Sequence, residues 1–91
     1  MIEKILDNYF TRKLLKEIEW CLFERNLDYK FADNGTMIDV IVKPEKYDKK
    51  YSRVIISFWK SDAFKYMCEL KKFLKYVKEE LNEYIREEKN D

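Results

Sequence analysis

The chain has 91 residues, 46% hydrophobic and 41% charged, with one glycine, one proline, no histidine and a formal net charge of +1. That balance excludes a disordered chain and fits one regular, loop-poor domain over residues 1–91. Without histidine there is no imidazole base and no usual zinc catalysis, and no apolar run approaches the ~20 residues a membrane span needs.

Ile2, Ile5, Leu6, Tyr9, Phe10, Leu14, Ile18, Cys21 and Leu22 recur at helical spacing, which predicts an amphipathic helix over 2–26. Arg12, Lys13, Lys16, Glu17 and Glu24 fall on its wet side. Thr11 is an alternative start, capping a second helix after Asp7–Asn8. The charges at Glu3, Lys4 and Asp7 do not make a signal peptide, so the expected location is cytoplasmic.

Three strand signals follow. Leu27–Asp33 alternates, with Leu27, Tyr29 and Phe31 on one face. Asn34–Gly35 is a strong short hairpin signal. Thr36–Val42 places Ile38, Val40 and Val42 together, and Pro44 ends it. Lys43–Lys50 reads as a polar loop, and Tyr51–Trp59 as a third strand with Val54, Ile56 and Phe58 on one face. Period-two alternation then sends Met37, Asp39, Ile41, Arg53, Ile55, Ser57 and Trp59 to the other face, with Asp39 and Arg53 set to pair across strands.

Ser61 is the expected cap of a long last helix. Met67, Leu70, Leu74, Val77, Leu81 and Tyr84 alternate in steps of three and four, a coiled-coil-like seam that Phe64, Phe73 and Ile85 widen. A helix over 62–89 runs about 42 Å, against about 23 Å for a seven-residue strand. The expectation is an overhang from Val77 onward with no partner inside the fold. Cys21 and Cys68 lie on apolar helical stretches outside any CxxC pair and are expected to be reduced and buried.

These signals predict an α+β fold of order α-β-β-β-α: a three-stranded antiparallel sheet, two helices on one face, and a long C-terminal helix. Three readings of the second sheet face stay open. It is core if the helices lie on opposite faces, an interface for a second copy or a partner, or a scatter of harmless exposed residues. The interface reading takes Met37, Ile41, Arg53, Ile55 and Trp59 from the sheet, with Trp59 as anchor, and Val77, Leu81, Tyr84 and Ile85 from the overhang.

The net charge hides a polarised chain. Residues 43–78 carry a basic excess and residues 79–91 an acidic one. Lys71, Lys72, Lys75 and Lys78 form a band on the last helix, and Lys46, Lys49 and Lys50 sit in the loop. Such a patch holds phosphates through salt-sensitive contacts, or is a solvated surface.

The order helix, hairpin, strand, helix resembles the core of PD-(D/E)XK nucleases. In that likeness Asp39 in Met37–Ile38–Asp39–Val40–Ile41 is a metal ligand, and Lys60 in Phe58–Trp59–Lys60 is the catalytic lysine. Phe58 stands where the family has its second acid, and the family's further strand is missing. The same order resembles the double-stranded RNA-binding domain, whose contacts come from the first helix, a longer first hairpin loop and a lysine cluster opening the second helix. Here that opening is Lys60-Ser61-Asp62-Ala63-Phe64-Lys65, with two lysines.

No residue is assigned as catalytic or metal-binding, and no cofactor is expected. The leading expectation is a non-enzymatic protein that forms a homodimer or docks on a protein or nucleoprotein target. In size and style it matches phage and mobile-element accessory proteins that inhibit a host factor by steric blocking. Nucleic-acid binding through the lysine band is the alternative, and a vestigial nuclease the second alternative.

Overall fold

The computed structural model describes residues 2–42 and 52–89. The first helix, α1 (Ile2–Glu24), runs without a break through Thr11, which is buried in its middle instead of capping a second start. It stops at a left-handed residue, Asn26, with φ 54°. The Asn26 N–H reaches the Phe23 carbonyl at 3.1 Å and the Leu27 N–H the Leu22 carbonyl at 3.1 Å. Those two bonds are a Schellman cap, and asparagine accepts the left-handed conformation better than other non-glycine residues.

The strands are β1 (Tyr29–Asp33), β2 (Met37–Val42) and β3 (Arg53–Trp59), in one antiparallel sheet of order β1-β2-β3. The hairpin between β1 and β2 closes through Gly35 and Thr36, with the Asn34 N–H bonded to the Met37 carbonyl at 2.9 Å. Gly35 has φ 91°, and Thr36 has no positive φ. A glycine at the first central position is the signature of a type II′ turn, so the turn lies one residue beyond the Asn34–Gly35 expectation.

The alternation predicted for β2 holds: Ile38, Val40 and Val42 are buried. On β3 it slips. Val40 pairs with Ile56 and Ile41 with Val54, so Ile55 has no partner and forms a bulge. Cα partners share a face. The bulge therefore puts Arg53 beside buried Val42, on the helix side, and sends Val54 to the outer side with Ile41. Ile55 packs partly against the core.

After β3 a 3-10 turn (Lys60–Asp62) leads into α2 (Ala63–Cys68) and α3 (Leu70–Lys89). The expected single helix is broken at Glu69, whose ψ is 38°. Ser61 lies inside the 3-10 turn, and Asp62 precedes α2 without a side-chain capping bond. The break lets Tyr66 stack on Phe73, with centroids 4.6 Å apart, above Phe58. Phe10 meets Phe64 at 4.9 Å, and Arg25 Nε donates to Asn82 Oδ1 at 2.9 Å. The helices thus run side by side in the same direction over one sheet face.

The core between helices and sheet is a single cluster, including Leu14, Ile18, Leu22, Val40, Ile56 and Phe73. It also takes Val77, Leu81 and Tyr84, each almost wholly buried. The expected overhang is therefore absent: the end of α3 packs within the fold. Cys21 is buried as expected, whereas Cys68 is exposed, and both are free thiols. Among the described residues no helix is long and apolar enough to cross a membrane.

Candidate docking surface

With every helix on one face, the other face of the sheet has no described element over it. From β1 it carries Lys30 and Ala32, from β2 Met37, Asp39 and Ile41, and from β3 Val54, Ser57 and Trp59. Val54 is 50% exposed and Trp59 52% exposed. Met37 lies opposite Trp59, and Ile41 opposite Val54. Two apolar pairs thus flank one polar pair. In that pair Ser57 Oγ donates to Asp39 Oδ1 at 2.6 Å, and Asn34 Nδ2 donates to Asp39 Oδ2 at 3.2 Å.

This arrangement keeps part of the expected site and corrects the rest. Met37, Ile41 and Trp59 lie on the outer face. Arg53 and Ile55 do not, because of the bulge. Arg53 bonds to Glu87 instead of Asp39. Val77, Leu81 and Tyr84 are core and unavailable to a partner, and Ile85 packs partly against them. Val54, read from the alternation as core, joins the surface.

The lysine band divides. Lys71, Lys75 and Lys78 line a shallow groove of α3 with Leu74, Glu79 and Asn82. Lys72 turns the other way, toward Ser57 and Tyr76, in a groove of about 360 Å³ beside β3. Lys46, Lys49 and Lys50 lie outside the described residues.

The two residues of the nuclease likeness do not meet. Asp39 is on the outer face, while Lys60 follows β3 on the inner row and binds the carboxylate of Asp33 at 2.8 Å. Among the described residues no group of three or more acidic or cysteine side chains gathers to hold a metal. In the RNA-binding likeness, too, Lys60 is engaged by Asp33 within the fold. The Asp33 carboxyl is held below its usual range, first by Lys60 and then by the Gly35 N–H.

One aromatic group escaped the sequence reading. Trp20 and Phe23 fall off the apolar stripe of α1 and are 66% and 55% exposed. They continue through Phe23–Tyr29 at 5.8 Å and Tyr29–Phe31 at 5.1 Å into a strip along β1. The signal was available: two large rings on the charged side of an amphipathic helix have no core to fill.

Comparison with known proteins finds no matching family model, no matching curated protein and no matching solved structure.

Proposed function

We propose that this is a non-enzymatic binding protein that docks on a protein partner through the outer sheet face, with Trp59 as anchor. One observation carries the reading: a half-exposed tryptophan opposite Met37, with a second apolar pair, Ile41 and Val54, beyond the polar pair, lies on a sheet face that no described element covers. Water against such a face is costly, and partners bury faces of this kind. The polar centre at Asp39 and Ser57 fixes the register of the partner. Function would follow from occupation alone. An interface of roughly 1,200–2,000 Å² blocks the surface it covers, as in the steric inhibitors that phages and mobile elements direct at host factors.

The test is a tagged capture from host lysate after nuclease treatment, with wild type and Trp59→Glu side by side. The expected result is a protein retained by wild type and lost by the variant, with far-UV circular dichroism unchanged. Retention by both sinks the outer face as the docking site. With the purified partner, Trp59→Ala should weaken binding by about 30-fold or more.

The flank of Lys71, Lys75 and Lys78 supports a second reading, nucleic-acid binding. It requires a captured component that vanishes on nuclease treatment, and an affinity falling by orders of magnitude between low and physiological salt.

A further inference from the structure

The strip along β1 points to a partner that the outer face does not. β1 is an edge strand, and its free edge can be read from the hairpin. Asn34 and Met37 are a hydrogen-bonded pair. Antiparallel alternation then makes Ala32–Asp39 and Lys30–Ile41 bonded pairs as well. Tyr29, Phe31 and Asp33 therefore turn their N–H and C=O groups away from β2. Among the described residues no strand covers that edge; such an edge is a template for another strand, and here it lies beside four aromatic rings.

We infer that β1 pairs antiparallel with β1 of a second copy of this chain, in a register centred on Phe31, to give a continuous six-stranded sheet. That register sets Phe31 against its own copy and Tyr29 against Asp33, so every outward-facing backbone group of the strand finds a partner. Shifting the centre to Lys30 would instead oppose two lysines, which is unfavourable.

Charge supports the same choice. Centring on Phe31 puts Lys30 of one copy opposite Ala32 of the other, with Asp39 one strand further along the same row. The small Ala32 side chain leaves the lysine room to reach that carboxylate, about 10 Å away across two strand spacings. The twofold axis is normal to the sheet, so both copies of α1 stay on one face, and each copy sets its Trp20 and Phe23 rings along the seam beside Tyr29. Buried aromatic side chains contribute roughly 150–250 Å² each. Two rings per copy, both more than half exposed, together with the strand edges, approach the ~1,200 Å² at which specific interfaces begin.

This pairing does not depend on the outer-face reading, and the test separates them. Sedimentation equilibrium of the purified chain should give twice the 11.3 kDa mass, dissociating on dilution. Phe23→Glu should raise the dimer dissociation constant about 30-fold or more, and Trp20→Glu, at the more exposed ring, should do so even if the first variant folds poorly. Trp59→Glu should leave it unchanged. Amide exchange at Tyr29, Phe31 and Asp33 should slow as concentration rises, while Lys30 and Ala32 stay protected throughout. A monomer at hundreds of micromolar, a dimer indifferent to Trp20→Glu, or outward amides that exchange at one rate at all concentrations would overturn the proposal.

Discussion

Arg53, at the start of β3, bonds to Glu87 near the end of α3, and its guanidinium carbon sits 5.8 Å from the centroid of the Tyr84 ring. The contact ties the last turns of the chain to the sheet. It exists because the bulge at Ile55 turns Arg53 toward the helices. Both side chains are about half exposed, 51% and 47%, so water screens most of the attraction. Arg53→Ala should cost no more than about 1 kcal/mol, read from urea unfolding.

The apolar residues beneath that contact carry far more. Val77 and Leu81 are fully buried against the sheet and α1. Leu81→Ala should lose about 2–5 kcal/mol through lost transfer energy and the cavity left behind. Leu81→Glu should abolish the cooperative unfolding transition, because a carboxylate would have to stay uncompensated in the core. A folded Leu81→Glu variant with altered solution mass would return this part of α3 to the surface.

The length comparison that predicted an overhang failed for an identifiable reason. It took residues 62–89 as one straight rod. The break at Glu69 divides that helix into two, and no glycine or proline marks it; it accompanies the packing of Tyr66 and Phe73 on Phe58 of β3, a contact between elements that helical periodicity does not report. The bulge at Ile55 was equally silent, since Arg53–Trp59 reads as a regular alternating strand. Where side chains alternate against one buried face, as at Ile38, Val40 and Val42, the pattern was legible because local geometry alone decides it. Met37, Ile41 and Trp59 were placed correctly for the same reason.

The hairpin offers a backbone test. An added Cβ at Gly35 meets nothing within 4 Å, so space is not limiting. The penalty of Gly35→Ala is conformational, because φ 91° lies in the left-handed region. The expected loss is about 1–2 kcal/mol, and a loss near zero would mean the turn relaxes to another type.

Asp33 sets a pH dependence. Lys60 and the Gly35 N–H hold its carboxyl below the ordinary range. A carboxyl that is more acidic when folded stabilises the protein above its unfolded value, and that contribution disappears as pH falls through the folded one. Urea midpoints should therefore drop on acidification below the usual aspartate range. Asp33→Asn should flatten that part of the profile, and an unchanged slope would mean that other carboxyls account for it.

The two thiols should differ in reactivity. Cys68 is exposed at the end of α2, whereas Cys21 is packed in the core, and burial pushes its thiol up. Nearby Lys78 and Arg25 act in the opposite direction without prevailing. Since the thiolate is the nucleophile, a disulfide reagent such as Ellman's should titrate one thiol per chain in the native protein and two in denaturant. The slow native reaction of Cys21 then reports opening of the contact between α1 and α3. Leu81→Ala should accelerate it roughly in proportion to the stability lost, about 30-fold or more for 2 kcal/mol, and Arg53→Ala far less. Equal native reactivity of both thiols would place Cys21 at the surface and contradict the packing of the two helices.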